Sequence, residues 1–176
     1  WAEYRYGAAQ GESNVIILTI GTGLGGGMVI NGKLFRGANG TGSEFGHMRV
    51  VPNGIPCGCG VDGCFERYAS GSGLMLHTKK LIDENPKGAR NLLERGDGTF
   101  AGLLGKHITT AAIEGDLLAL EALKITGHWI GAGIATLAAI LDPSLVVIGG
   151  GVVEARSEEH TSELQSHHDL VCRLLL

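Results

Sequence analysis

The sequence predicts an α/β fold, and three observations carry that prediction. Residues 14–20, NVIILTI, form a short apolar run rich in β-branched side chains, and the glycine turn GTGLGGG (21–27) follows at once. A long stretch of helical period begins after Asp116 and stops at Asp142-Pro143. A second strand-like run, SLVVIGGGV, then ends in another glycine turn at Gly149, Gly150 and Gly151. Strand, glycine turn, helices, strand, glycine turn is an α/β order with a nucleotide-binding flavour.

Each element can be justified in chain order. WAEYRYGAAQGESNV, with no initiator methionine, reads as the end of a helix followed by a turn, so the chain is expected to begin inside a longer protein. After the first strand and its glycine turn, MVI forms a second strand. Asn31-Gly32 signals a tight hairpin, and LFRG returns. Residues 37–64 are loop-rich apart from MRVV, and a helix is expected to start near Cys64 or Phe65. SGLMLHTKKLIDE reads as a helix. ARNLLERG and ITTAAIEG read as short ones, the latter starting near Thr109 or Thr110. Asp116 is a good N-cap for a helix over 117–141. Gly127, Gly131 and Gly133 inside that helix each cost about 1 kcal/mol against alanine. Close helix packing is the expected reason for them.

Composition sets the chemistry that this chain can support. Of 176 residues, 44% are hydrophobic and 18% charged, which describes a globular chain rather than a disordered one. Its 30 glycines cluster without a collagen-like period and mark tight bends or close approaches to a ligand. A net charge of −4 offers no basic stripe to neutralise phosphates, which argues against nucleic-acid binding by this segment. No apolar run is expected to span a bilayer and no signal peptide is recognised. The expected compartment is the cytoplasm, where thiols stay reduced.

The last residues change character. From Arg156 the chain reads RSEEHTSELQSHHDLVCRLLL, which is polar, rich in histidine and without period. Its first eleven residues reverse-translate into a common sequencing-library adapter, and DLVCRLLL fits the far end of the same adapter. Residues 156–176 are therefore read as a non-native, adapter-derived tail that packs on nothing, and 1–155 as the folded part. The tail holds Cys172, so the remaining cysteines all lie between 57 and 64.

Cys57, Cys59 and Cys64 occupy eight residues, with His47 upstream and Glu66 just downstream. An odd number of thiols cannot close an internal disulfide set, and the expected compartment is reducing. A C-x-C redox pair would leave the third cysteine idle. A structural zinc needs four ligands in a tetrahedron, and thiolates suit it. The glycines at 58, 60 and 63 let the loop fold back on an ion. His47 is the obvious fourth ligand and also the least constrained one. Glu44 and Glu66 flank the cluster. Carboxylates on rigid supports make good acceptors for sugar hydroxyls.

The stretch GSEFGHMRVVPNGIPCGCGVDGCFERYASG resembles the signature of the ROK family of sugar kinases and repressors, a Glu-x-x-His followed by C-x-C-G-x-x-G-C-x-E. IGTGLGGGMVINGKLFRGANG resembles that family's second phosphate motif, and IGGGV its adenosine motif. The resemblance runs from Trp1 to about Glu154. CFERYASG and GKHITTAAIEGD are most similar to the actinobacterial glucokinase branch. It implies the actin-like ATPase (ribonuclease H-like) fold, with this chain mainly the C-terminal domain of a two-domain sugar kinase, incomplete at both ends.

By motif, the resemblance makes His47, Cys57, Cys59 and Cys64 zinc ligands and Glu44, His47 and Glu66 sugar contacts. The histidine would turn one ring nitrogen to zinc and the other to a hydroxyl. Gly21, Thr22, Gly23 and Gly25 would meet ATP phosphates. Gly149, Gly150 and Gly151 would meet the nucleoside. Magnesium is implied with ATP, without an assignable residue. The implied activity is phosphorylation of a hexose at its 6-hydroxyl, glucose foremost, in a homo-oligomer. The catalytic aspartate is expected in an Asn-Asp motif just before the helix containing Trp1, so no catalytic residue is expected within this chain. A sugar-responsive repressor of the same family is the alternative. N-acetylmannosamine, N-acetylglucosamine or fructose as substrate, and polyphosphate as donor, stay open.

Overall fold

The computed structural model describes residues 1–151 and the backbone of Cys172–Leu175. The order is α1 (Ala2–Tyr6), β1 (Val15–Ile20), β2 (Leu24–Ile30), β3 (Lys33–Leu34), α2 (Gly71–Glu84), α3 (Arg90–Leu93), α4 (Gly105–Ile113), α5 (Leu117–Leu141), β4 (Leu145–Gly149) and β5 (Cys172–Leu175). Single 3-10 turns lie at Phe45–His47 and Phe65–Arg67. The α/β reading holds. The strands form one mixed sheet in the order β3-β2-β1-β4-β5. β1 and β4 run parallel, and the three long helices form the crossover between them.

The first glycine segment divides differently from the expectation. Only Gly21–Gly23 turn. β2 begins at Leu24, opposite Ile20, and carries Gly25, Gly26 and Gly27 within its pairing to Thr19, Leu18 and Ile17. A run of glycines shows no side-chain alternation, so the strand was invisible there. Asn31 and Gly32 both take positive φ, 50° and 74°, as the tight turn into β3 requires.

Alternation along β1 separates two cores. Ile16, Leu18 and Ile20 face a cluster with Phe65, Ala69, Ile134, Leu137, Val146 and Ile148. Val15 faces the other way, onto Ala9, Val29, Leu145 and Val147. A third cluster joins α2, α4 and α5 through Leu74, Ile108, Ala111, Ala119 and Ala122. Asp116 caps α5 by accepting from the Ala119 N–H at 2.9 Å, and Asp142, left-handed at φ 42°, ends it before Pro143, as expected. α4 starts earlier than expected, at Gly105, with the His107 ring accepting from the Leu104 N–H.

The glycines of α5 split. A side chain at Gly133 would lie 2.1 Å from the Phe65 ring, so close packing explains that one. A Cβ on Gly127 or Gly131 would meet nothing within 4 Å among the described residues outside its own stretch of helix, and the packing reason fails there. α5 also corrects the expectation about apolar runs. Its 25 residues, with mean hydropathy 1.2 over the most apolar window, are long and apolar enough to cross a membrane. Much of that hydropathy comes from a solvent-facing side of Ala132, Ala135, Ala139 and Ile140. The opposite side packs on Phe65, α2 and α4.

The expectation that 156–176 pack on nothing meets one difference. The backbone of Cys172–Leu175 pairs antiparallel with β4, Leu145 opposite Leu175 and Ile148 opposite Cys172. This stretch adds to the edge of β4 that β1 leaves free, and the CRLL run can extend to meet it. The remaining tail residues lie outside the described ones.

Candidate functional site

Residues 47–70 contain little regular structure, and their shape comes from specific contacts. Two isolated bridges, Arg49 with Cys64 and Pro56 with Asp62, fold the loop back on itself. Gly63, at φ +80°, presses so closely on the Val51 carbonyl that a side chain there would sit 1.6 Å from its oxygen. Tyr68 accepts the Ile55 N–H at 2.8 Å on its hydroxyl, packs at a tilt of 41° against Trp129 with ring centroids 4.7 Å apart, and leaves its carbonyl to the buried His77 ring at 3.0 Å. The hydroxyl closes the loop on itself, while the ring and the carbonyl of Tyr68 tie it to α5 and α2.

Within the fold-back, His47, Cys57, Cys59 and Cys64 bring one potential ligand atom each to within 4.8 Å of one another. The His47 Nδ1 lies 3.7 Å from the Cys57 sulfur, and the sulfurs of Cys59 and Cys64 lie 3.5 Å apart. A tetrahedron with Zn–S bonds near 2.3 Å has edges of about 3.8 Å. Spacing and donor chemistry therefore both fit a zinc ion, as three thiols and an imidazole require.

The thiols are not alike. Burial, reinforced by Cys59 and Cys57, pushes the Cys64 thiol up to about 12. At Cys59 the Val61 backbone N–H, with help from Cys64, holds the thiol below its usual value. At Cys57 a backbone hydrogen bond at Cys59 pulls downward, but burial and the Glu66 carboxylate outweigh it and the thiol is raised. A bound cation reverses this balance by favouring thiolates.

Glu66 stands against this cluster. Its Oε1 accepts the Cys57 thiol at 3.1 Å and lies 3.8 Å from the His47 Nδ1. The side chains of His47 and Glu66 are 43% and 23% exposed, so both stand beside the thiols and still reach solvent. Glu44 opens the 3-10 turn that ends at His47, accepting the His47 N–H on its carbonyl. Its exposed carboxylate joins none of the hydrogen bonds among the described residues of the cluster.

The two glycine turns meet at one end of the sheet. Thr19 pairs with Gly149 in the parallel ladder, so Gly21–Gly23 and Gly149–Gly151 leave the C-terminal ends of neighbouring strands. That is the position at which α/β sheets take ligands. The α2 N-terminus is latched there, Gly71 donating to the Gly21 carbonyl at 2.8 Å and Ser72 to that of Thr22 at 3.0 Å. Ser70 caps α2 by accepting from Gly73. Gly25 stands apart from this turn, inside β2. Sequence reasoning missed Tyr68 and Ser70. A serine just before a helical pattern is a readable N-cap signal, whereas nothing local marked the tyrosine.

Comparison with known proteins agrees with this geometry. The chain is 48% identical over 152 residues to a glucokinase of Streptomyces coelicolor, covering 86% of this chain and 48% of that protein. It is 33% identical over 154 residues to the N-acetylglucosamine repressor of Escherichia coli O157:H7, covering 88% of this chain and 36% of that one. The crystal structure of a ROK family glucokinase from Streptomyces griseus in complex with glucose and AMPPNP superposes with a TM-score of 0.82 at 50% identity, covering 88% of this chain and 50% of that one. The chain spans about half the length of the curated glucokinases it matches. The fold is the actin-like ATPase fold of these kinases. With its cysteine-histidine cluster, its glutamate and its paired glycine turns in place, and with residues 1–166 matching the family as a whole, this chain belongs to the ROK family.

Proposed function

We propose that this chain is the sugar- and nucleotide-holding part of a hexokinase-type enzyme whose complete form transfers the γ-phosphoryl group of ATP to glucose, giving glucose 6-phosphate. One observation carries the proposal: the Glu66 carboxylate lies between the Cys3His cluster and the Gly21–Gly23 turn, so sugar and phosphate sites adjoin. The resemblance to glucokinases at 48–50% identity supports glucose over other hexoses.

In this reading His47, Cys57, Cys59 and Cys64 hold a structural zinc, which orders a glycine-rich loop that has little apolar content of its own. Glu44, His47 and Glu66 bind sugar hydroxyls. The His47 Nδ1 faces the thiols, which leaves Nε2 on the far side of the ring for a hydroxyl. The amides of Gly21, Thr22 and Gly23, with the Thr22 hydroxyl and with Gly25 beside them, serve the ATP phosphates. Gly149, Gly150 and Gly151 serve the nucleoside. Magnesium arrives with ATP. The base that takes the 6-hydroxyl proton lies upstream of Trp1. A cytoplasmic homo-oligomer, and a non-native origin for residues 156–176, belong to the same reading.

The repressor reading rests on the more distant likeness to the N-acetylglucosamine repressor. The turn at Gly21–Gly23 disfavours it, since a sugar sensor needs no phosphate loop. A coupled ADP-release assay on the complete gene product, with ATP-Mg and a hexose panel, decides between them. Glucose-dependent ADP release is expected. No turnover with any hexose, together with a DNA-binding domain upstream, would overturn the kinase reading. The present 176-residue chain should show no turnover, because losing a general base alone costs about 10²–10⁴-fold.

A further inference from the structure

Glu66 is the residue whose position matters most for a sugar, and its surroundings are asymmetric. One carboxylate oxygen is engaged by Cys57 and His47. The other points at the first glycine turn, where a Cβ placed on Gly23 would lie 2.9 Å from Oε2. Among the described residues, no other atom beyond its two chain neighbours comes within 4 Å of that Cβ. The turn itself is rigidly held. Gly21 donates to the Gly23 carbonyl at 3.0 Å, and the α2 N-terminus grips the carbonyls of Gly21 and Thr22. α2 in turn follows directly from Glu66 through Ser70, whose hydroxyl donates to the Glu66 carbonyl.

We infer that Gly23 is a positioning residue for sugar binding: its missing side chain leaves the space in which the Glu66 carboxylate sits, so the phosphate turn sets where the sugar acceptor points. This rests on the kinase reading above and deepens it. Gly23 does not have a positive φ, so an alanine there suffers no backbone strain. The atom that it meets is the free end of a flexible side chain, which can swing away at little cost in stability. A methyl group at position 23 therefore moves the carboxylate without unfolding anything. A role confined to the phosphates would disturb nucleotide binding and leave sugar binding alone, and a role confined to folding would show in stability.

The test is glucose titration by calorimetry, without nucleotide, on the zinc-loaded complete gene product. The variants are Gly23→Ala, Glu66→Asp, both together, and Gly27→Ala, whose added Cβ meets nothing within 4 Å among the described residues, as the control. Gly23→Ala should weaken glucose binding tenfold or more, with zinc content and melting temperature unchanged and the control binding like the parent. The double variant should bind at least as well as Gly23→Ala alone, because the shorter carboxylate no longer needs the space. Glucose affinity within twofold of the parent, a parallel loss of zinc or of thermal stability, or strictly additive effects in the double variant would overturn the inference. Failure of the unsubstituted protein to bind glucose or any other hexose would overturn the kinase reading, and this inference with it.

Discussion

The cysteine loop at 47–70 and the helical layer of α2, α4 and α5 are neighbours held together by opposite means. The helical layer is built from Leu74, Ile108, Ala111, Ala119 and Ala122, with Leu92 of α3 against them, all buried, and needs no ligand to define it. The loop buries few apolar side chains. It is shaped by two bridges, a tyrosine hydroxyl, a glycine pressed on a carbonyl, and four side chains that converge as a metal would require. The difference teaches that stability and function can be perturbed separately here. Removing apolar volume should strike the layer, and removing a ligand should strike the loop.

The largest effect expected is from Cys64→Ser. It removes a buried thiol of the proposed zinc site, and structural zinc sites contribute folding free energy outright. Zinc content should fall from one equivalent to near none, and hexose binding by the complete protein should disappear. Far-ultraviolet circular dichroism should still report the helices. Loss of the helical signal together with zinc would mean that the two regions are one cooperative unit.

Phe65→Ala comes next, because Phe65 joins the regions. It lies between Cys64 and Glu66 in sequence, yet it is fully buried against Gly133 of α5. Truncation should cost about 3–5 kcal/mol, read as a fall in the denaturation midpoint. Zinc affinity should fall much less. Equal losses in both would blur the comparison.

Glu66→Gln is smaller and more selective. Losing a charge-assisted hydrogen bond to a sugar hydroxyl should cost about 1.5–3 kcal/mol in hexose affinity while zinc content stays constant. Unchanged affinity with lost zinc would reverse the role given to this glutamate.

The smallest effects fall on the helical layer alone. Asp116→Ala removes the α5 cap and should cost about 1 kcal/mol. Gly127→Ala, into open space, should stabilise by up to about 1 kcal/mol. Neither should move zinc or sugar affinity. Thermal melts with elemental analysis check both.

What could be read from the sequence follows the same division. The ends of α5 were legible because Asp116 and Asp142-Pro143 act locally. β1 and β4 were legible because buried strands are apolar runs. The start of β2 was not, since Gly25, Gly26 and Gly27 carry no pattern and only pairing with β1 makes them a strand. In the site, the cysteines announced themselves by spacing. Glu66 was legible as a flanking carboxylate, but its contact with Gly23, 43 residues away in sequence, was not. Gly127, Gly131 and Gly133 looked equivalent, and only the position of Phe65 separates them. The hydroxyl of Tyr68 found the Ile55 amide through tertiary folding that no local signal encodes.

The central claim is that a zinc ion orders the loop that presents the sugar-binding glutamate. X-ray absorption at the zinc edge, on purified protein with stoichiometric metal, tests it most directly. The account predicts three sulfur neighbours near 2.3 Å and one nitrogen near 2.0–2.1 Å. A shell of oxygen and nitrogen alone, or purified protein that holds no zinc, would contradict it.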